Sequence, residues 1–114
     1  MVGRYYDGFL SELPPEEASG KYMNYGYWQA DTDDNATASN NLVDLLVSGI
    51  SNRRGLVLDV ACGTGATTRR MSLYWDPQQI VGINISRRQL SECKRLLPTS
   101  TFSVMDAAHI AACA

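Results

Sequence analysis

The stretch GLVLDVACGTGATTRR, residues 55–70, decides the fold. A continuous apolar run such as this one is typical of a parallel strand buried on both faces. The run ends at a small-residue turn that contains Gly63 and Gly65. A glycine-rich turn between a strand and a helix gathers backbone N–H groups at the helix N-terminus, where ligand groups bind. The stretch predicts a strand at Leu56–Val60, a ligand-binding turn and a helix at about 66–74.

Asp59 in this stretch indicates which chemical groups a ligand could have at this turn. Asp59 lies inside the apolar run, and a buried carboxylate needs a partner such as a ligand ammonium, a hydroxyl or a backbone N–H group. Dinucleotide-binding turns follow GxGxxG, whose third glycine allows close packing of helix and strand. Here Thr68 occupies that position, and the acid would repel a pyrophosphate. The pattern disfavours an NAD-binding half domain and favours a cationic ligand group.

The N-terminal third divides into an irregular segment and a helix. Residues 1–35 contain a Pro-Pro pair and several aromatic residues, and we predict an aromatic cap segment there. Apolar residues at helical spacing predict a helix at about 36–51, with Thr37 or Ser39 as its N-cap. These apolar residues are Leu42, Leu45, Leu46, Gly49 and Ile50. The predicted second domain, a Rossmann-like half domain, covers residues 36–114.

Two further strands complete an α/β pattern. The apolar runs Ile80–Ile85 and Thr101–Met105 predict strands. Between them, Ser86 stands three residues before Gln89, which is the spacing of a capping box, and Pro98 ends the helix that follows. Alternation of helices and strands implies parallel strands with right-handed crossovers. The predicted fold class is therefore an α/β, Rossmann-like, doubly wound parallel sheet.

Composition excludes several classes of protein. The 114 residues, 45% of them hydrophobic, fit one globular domain, and a net charge of −2 gives no electrostatic reason to expect nucleic acid or a membrane as partner. No apolar run approaches the ~20 residues of a membrane span, and the N-terminus does not resemble a signal peptide. Cys62, Cys93 and Cys113 have spacings that support neither a disulfide framework nor a zinc site. We expect a cytoplasmic protein without a metal.

Four motifs carry a resemblance to a known family. The stretch LDVACGTGA, residues 58–66, resembles the first motif of class I S-adenosylmethionine (SAM)-dependent methyltransferases. The stretch VGINISRRQL, residues 81–90, is similar to the second-strand motif of a small-molecule subgroup that includes cyclopropane fatty acid synthases and tocopherol, sugar and alkaloid methyltransferases. MDAAHI (105–110) and NYGYW (24–28) are similar to two further motifs of this subgroup. The resemblance implies the first three strands of a seven-stranded methyltransferase fold.

The resemblance also implies which residues bind the methionine end of SAM. Gly63 and Gly65 would cradle it, with Ala61 in the same turn. Asp59 would lie near the ammonium group. Tyr25 or a neighbour would close over the carboxylate, and an aromatic face near a sulfonium is favourable because the ring attracts cations.

The adenosine end is implied to lie against the next two strands. Many family members have an acid at the end of strand two that holds both ribose hydroxyls, but this chain has Asn84. The ribose contact would then be shared by Asn84, Ser86 and Gln89. Asp106 would accept a hydrogen bond from the adenine amino group, and the Ala107 N–H would face the edge of the ring.

The implied function is methyl transfer from SAM to a small-molecule acceptor, with S-adenosylhomocysteine (SAH) as product. No catalytic residue is identified, and His109 is not assigned as a base. Complete family members continue past the Asp106 motif into the acceptor half, so this chain would form the cofactor-binding part. A complementary chain or an intertwined homodimer would complete the sheet, or the sequence is a fragment. The alternative function is a non-catalytic SAM- or SAH-binding fragment or partner subunit.

Overall fold

The computed structural model describes Tyr22 and residues 24–113. Most of the predicted cap segment therefore lies outside the described residues, and its boundary stays a prediction. The helices are α1 (Asn35–Ser48), α2 (Ala66–Met71) and α3 (Arg87–Leu96). The strands are β1 (Val57–Val60), β2 (Ile80–Asn84) and β3 (Thr101–Val104), and the 3-10 segments are Pro77–Gln79 and Ala107–Cys113. Within the described part of the chain, no helix is long and apolar enough to cross a membrane.

The three strands form one parallel sheet in the order β1-β2-β3. Val57 pairs with Ile80, and Gly82 pairs with Phe102. This arrangement confirms the predicted α/β fold with parallel strands in chain order. All three strands therefore have their carboxyl ends at the same edge of the sheet, where ligands bind in open α/β folds.

The helix starts are set by side-chain caps. Ser86 caps α3 as predicted, because its Oγ accepts a hydrogen bond from the Gln89 backbone N–H at 3.1 Å. The predicted caps of α1, Thr37 and Ser39, are wrong. Asp34 is the cap, since its Oδ1 accepts from the Thr37 N–H at 2.7 Å. This hydrogen bond holds the pKa of Asp34 below its usual value. An acid just before the first turn satisfies the free N–H groups better than a hydroxyl inside it.

The buried face of α1 is not the predicted one. Val43 and Val47 pack in a core cluster with Met71, Trp75 and Ile80. The predicted apolar face points outward, because Leu45 and Leu46 are 48% and 66% exposed. The helix carries two apolar faces, and the orientation that buries the valine face also lets Asp44 pair with Arg70 of α2. Arg70 holds Asp44 with two hydrogen bonds, of 2.9 and 2.7 Å.

Strand β1 was expected to be buried on both faces, and this expectation is wrong for the described residues. Leu58 and Val60 are 40% and 44% exposed, and Leu56 just before the strand is 76% exposed. Asp59, which points to the other face, is buried. The physical reason is position: β1 is the edge strand of the described sheet, and no described element covers the face of Leu58 and Val60.

Candidate functional site

A cavity of about 400 Å³ lies at the carboxyl ends of the strands. Six of the predicted ligand-binding residues line it, together with two apolar residues that the sequence analysis did not select. The predicted ones are Ala61, Gly63, Asn84, Gln89, Asp106 and Ala107, and the additional ones are Ile85 and Met105. The structure therefore brings residues from three separate motifs to one site. The additional pair could have been found as the residues that adjoin Asn84 and Asp106 at the strand ends.

The turn after β1 uses backbone conformations that favour glycine. Gly63 and Gly65 have positive φ angles of 57° and 96°, and Ala61 has a φ of 58° despite its side chain. A Cβ added to Gly63 would meet nothing within 4 Å, so this glycine faces open space. A Cβ added to Gly65 would lie 3.2 Å from Cys93. The first glycine thus leaves room for a ligand, whereas the second lets α3 pack closely against the turn.

Polar contacts anchor this turn to the rest of the domain. The Cys93 thiol donates to the Gly63 carbonyl at 3.1 Å, and the Cys62 N–H donates to the Ile83 carbonyl at 3.0 Å. The two sulfur atoms lie 3.9 Å apart without a disulfide. Their hydrogen bond and burial raise the pKa of the Cys62 thiol. Cys62 is thus a buried, protonated residue and not an activated nucleophile.

Asp59 is a buried carboxyl group that accepts a hydrogen bond from a buried hydroxyl. Its Oδ2 accepts a hydrogen bond of 2.7 Å from the hydroxyl of Thr68, which is itself fully buried. Burial raises the pKa of Asp59, and the Thr68 bond lowers it by less. A carboxylate in this state gains stabilisation from a nearby positive charge. Sequence reasoning noticed Thr68 only as a missing glycine, and its role as the partner of Asp59 was not foreseen.

Two amide side chains lie on the β2 side of the cavity. Asn84 Nδ2 donates to Gln89 Oε1 at 2.7 Å, and Asn84 Oδ1 accepts from the Ile85 N–H at 2.9 Å. Gln89 is 2% exposed, and its Nε2 is buried with no hydrogen-bond partner among the residues that the structure describes. A buried donor without a partner costs about 1–3 kcal/mol. The orphaned Nε2 is an observation that fits a ligand with a hydroxyl or carbonyl oxygen at this place.

Asp106 begins the segment that follows β3. Its Oδ1 accepts from the Ala108 N–H at 2.8 Å, and its Oδ2 lies 3.5 Å from His109 Nδ1. The Ala108 hydrogen bond holds the pKa of Asp106 below its usual value. The residue is therefore an exposed, ionised acceptor at the rim of the cavity. His109 is 81% exposed and has this acid as its neighbour.

Four predicted site residues lie outside this cavity lining, namely Asp59 and Gly65, described above, and Ser86 and Tyr25. Ser86 is fully buried at the start of α3. The Tyr25 side chain is 96% exposed and lines a separate cavity of about 530 Å³ near α1. Tyr22 and Asn24 line the same cavity, and they also line one of about 210 Å³ against the Gly63 turn. The ligand roles of Tyr25 and Ser86 stay predictions, and Tyr22 is a better placed aromatic residue that the NYGYW motif did not include.

Metal ligation has no support in Tyr22 or residues 24–113. These residues contain no group of three or more His, Cys, Asp or Glu side chains that could hold an ion. The chemistry of the cavity is therefore that of amides, backbone groups and isolated carboxylates. Such groups recognise an organic ligand by hydrogen bonds and charge.

Comparison with known proteins identifies the family. The methyltransferase domain family matches residues 57–113, which include the glycine turn and the residues that line the 400 Å³ cavity. The chain is 31% identical over 90 residues to a 27-O-demethylrifamycin SV methyltransferase of Amycolatopsis mediterranei. It is 33% identical over 93 residues to the O-methyltransferase cnsE of Penicillium expansum. Each match covers 78% of this chain and 32% of the relative.

Solved structures agree with this assignment. The [4+2]-cyclase SpnF superposes with a TM-score of 0.76 at 30% identity, over 93% of this chain and 42% of SpnF. The mycolic acid cyclopropane synthase CmaA1, solved with SAH and CTAB, superposes with a TM-score of 0.64 at 25% identity, over 87% of this chain and 35% of CmaA1. The chain spans about a third of the length of the curated relatives it matches. It belongs to the methyltransferase domain family and has the Rossmann-like fold of class I SAM-dependent methyltransferases.

Proposed function

We propose that this chain forms the SAM-binding part of an enzyme that methylates a small molecule. One observation carries the proposal: the glycine turn, the orphaned Gln89 amide and Asp106 come from three motifs and line one cavity at the strand ends. The relatives with matching sequence are named as methyltransferases, and one is named for the methylation of demethylrifamycin, a small molecule.

The methionine end of SAM fits the turn after β1. The open side of Gly63 would accommodate it, because no atom lies where a side chain would project. Asp59 would pair with the ammonium group, whose positive charge would stabilise the ionised form of this buried carboxyl group. Gly65 and Ala61 would support the turn through their left-handed conformations. No role in ligand contact is needed for Gly65 itself.

The adenosine end fits the far side of the cavity. Gln89 Nε2 would donate to a ribose hydroxyl, and Asp106 would accept from the adenine amino group with the lone pairs that Ala108 leaves free. The Ala107 N–H would face the edge of the base. Ile85 and Met105 would provide apolar contact for the faces of the base. Each of these roles uses a group that the structure places at the cavity lining.

The chemical contribution of this chain is binding and orientation. SAM, when bound, supplies a methyl group that is already activated by a positively charged sulfur. The residues described here would fix the cofactor at the strand ends so that its methyl group faces the acceptor, and positioning of two reactants accounts for much of the rate gain in such reactions. The acceptor would be a small organic molecule bound by polypeptide beyond the described residues.

We also propose that another polypeptide segment adds a strand to β1. Apolar surface is exposed at Leu58 and Val60 of β1 and at the outward leucines of α1. Exposed strand edges and apolar surface of this kind are commonly covered by another chain segment. The segment would come from a complementary chain, from a second copy or from further residues of this polypeptide. We further propose a cytoplasmic location, because the cysteine spacings do not indicate a disulfide framework.

Calorimetric titration of the 114-residue chain with SAH tests the proposed function, with NAD as the control ligand. We expect saturable binding of SAH near one site per chain and no binding of NAD. Gly63→Ala should weaken SAH binding, because its methyl group would project into the cavity. Gly49→Ala is the matched control, since Gly49 ends α1 with a φ of −76° and lies outside the cavity. A folded chain that binds NAD, or that binds no SAH, contradicts the proposal.

A further inference from the structure

Two cavities adjoin the N-terminal segment on the α1 and α2 side of the glycine turn. Tyr22 and Asn24 line both the cavity of about 210 Å³ against Gly63 and the cavity of about 530 Å³ beside α1. The proposed function places the methionine end of SAM, to which the reactive sulfur belongs, at the Gly63 turn. A molecule in the larger cavity would therefore lie beside the end of the cofactor that gives up the methyl group.

The larger cavity has a polar lining that suits an anion. Asn24 and Asn40 contribute amide groups, Ser39 contributes a hydroxyl group, and Arg69 of α2 contributes a guanidinium. No acidic side chain is among the described residues of this lining. Amide, hydroxyl and guanidinium groups all donate hydrogen bonds, and carboxylate oxygens only accept them. The lining and a carboxylate are thus complementary in charge and in hydrogen bonding.

Arg69 provides the positive charge of this lining. Its neighbour Arg70 is held by Asp44 at 2.7 Å, whereas no ion pair in the described part of the chain includes Arg69. The Arg69 charge acts on the cavity wall, because burial raises the pKa of Tyr22 and the charges of Arg70 and Arg69 oppose this rise. A guanidinium in this position can bind a carboxylate through two parallel hydrogen bonds.

Helix α1 adds hydrogen-bond donors to this charge. The Tyr22 hydroxyl donates to Asn40 Oδ1 at 2.6 Å, so the oxygen of this amide faces the tyrosine and its Nδ2 group remains to donate elsewhere. Ser39, one residue before Asn40, is 1% exposed and lines the same cavity. The two helices together therefore offer a cation and neutral donors to one ligand group.

We infer that the acceptor of methyl transfer carries a carboxylate, which Arg69 binds in the 530 Å³ cavity with Asn40 Nδ2 as a second donor. This inference rests on the proposed function, because it needs SAM at the glycine turn. It deepens that function by naming the class of acceptor, a small carboxylic acid. The remainder of the acceptor would still be bound by polypeptide beyond the described residues.

NMR titration of the full ¹⁵N-labelled chain in the presence of excess SAH tests this inference. The probes are benzoate, phenylacetate and cinnamate, each compared with its uncharged amide. We expect at least one carboxylate to shift the backbone amide signals of Ser39 and Asn40 and the side-chain Nε signal of Arg69 in a saturable way. Its amide should bind roughly 10-fold more weakly, because hydrogen bonds between charged groups are the stronger ones. Added salt should weaken binding of the carboxylate, since it screens exposed charges.

Variants of Arg69 assign the effect to its charge. Arg69 is exposed, so its replacement should leave the fold intact. Arg69→Gln should lower the affinity for the carboxylate by about 10-fold, and Arg69→Lys should retain part of it because the charge remains. Arg87→Gln is the matched control, since Arg87 is an exposed arginine at the start of α3 and lines neither cavity.

The outcomes separate the inference from the proposed function. If the wild-type chain binds no SAH, the proposed function fails, and the inference fails with it. If SAH binds but no carboxylate gives saturable shifts at these residues, or if each carboxylate binds no better than its amide, the inference alone is overturned. Equal losses in Arg69→Gln and Arg87→Gln also overturn it. If Arg69→Gln weakens SAH itself, Arg69 binds the carboxylate of the cofactor and not that of an acceptor, and the inference is again overturned.

Discussion

The hydroxyl of Thr68 donates a 2.7 Å hydrogen bond to the carboxylate of Asp59, and both side chains are buried. Thr68 occupies the position that a third glycine takes in dinucleotide-binding turns. The residue that disfavours a pyrophosphate site is therefore the same one that stabilises a carboxylate at the end of β1. Asp59 and Thr68 both distinguish this turn from a dinucleotide-binding turn, and one hydrogen bond joins them.

Replacement of Thr68 by valine should destabilise the fold. Valine has a similar shape but leaves the buried Asp59 carboxylate without its donor, which costs about 1–3 kcal/mol. Thr68→Ser keeps the hydroxyl and serves as the control. Urea unfolding at several pH values measures the effect. The folded-state pKa of Asp59 is already raised and should rise further in Thr68→Val, so the loss should be largest at neutral pH and shrink as pH falls. An equal loss in both variants would contradict this explanation.

The affinity for SAH should increase with pH through the titration of Asp59. Burial raises the pKa of this acid above its ordinary value of 3.8. Below the raised pKa the carboxyl group is neutral and attracts the ligand ammonium weakly, and above it the carboxylate is charged. Without ligand, the Asp59 contribution to the free energy of unfolding should instead decrease as pH rises, because ionisation of a buried acid with a raised pKa destabilises the folded state. Calorimetry from about pH 4.5 to 7.5 tests this, and the increase should be absent in Asp59→Asn.

The ion pair between α1 and α2 should contribute more to stability than the one on α3. Asp44 accepts two hydrogen bonds from Arg70 and one of 2.6 Å from the Tyr74 hydroxyl. Asp44→Asn should lower the free energy of unfolding by about 1 kcal/mol, a value kept small because both partners are partly exposed. Glu92→Gln, which removes the more exposed pair with Arg95, is the control and should have almost no effect.

The pH dependence of this pair follows from the pKa of Asp44. The hydrogen bonds from Arg70 are the main reason that this pKa lies below its ordinary value of 3.8. The stabilisation is therefore present above the ordinary pKa and is lost as pH falls through the lowered one. The difference between wild type and Asp44→Asn should disappear in acid, and a difference that persists there would contradict the ion pair as its cause.

A methyl group at Gly82 should not fit the sheet. An added Cβ would lie 2.6 Å from Phe102 Cδ1 and 3.1 Å from Cys62 Sγ. Overpacking of this kind costs about 1–3 kcal/mol. Thermal unfolding of Gly82→Ala should show the loss, and the double variant Gly82→Ala with Phe102→Leu should recover part of it. If Phe102→Leu adds its own loss without recovery, the contact with Phe102 is not the cause.

The sequence predicted the positions of the helices and strands better than it predicted which of their faces are buried. Strong local signals, such as the apolar run before Gly63 and the Ser86 cap, placed β1, β2 and α3 within a few residues of their observed limits. The face of α1 was predicted wrongly because Leu45 and Leu46 follow helical spacing as well as Val43 and Val47 do. Tertiary contacts, such as the packing of Val43 and Val47 and the pairing of Asp44 with Arg70, distinguish the two faces, and spacing along the chain carries no information about them.

In the candidate site, too, the positions of residues were predicted better than their contacts. The resemblance to the methyltransferase motifs predicted that Gly63, Asn84 and Asp106 would lie at one site, and they line one cavity. Spacing did not predict that the Asn84 amide would be engaged by Gln89, because the choice between ligand contact and internal contact depends on side-chain orientation. Tyr25 was selected from a motif, yet Tyr22 lies beside the glycine turn. A short motif such as NYGYW does not determine the path of the irregular backbone that carries these tyrosines.

The exposed edge of β1 has a consequence for hydrogen exchange. Along a parallel strand, alternate residues direct their amide groups to opposite sides, so only part of the β1 amides face β2. The remaining amides point to the edge and should exchange with deuterium almost as fast as in an unfolded peptide, although they belong to a strand. In the sheet as described, only every second amide of β1 should exchange slowly. If another strand joins the sheet at this edge, all amides of β1 should exchange slowly.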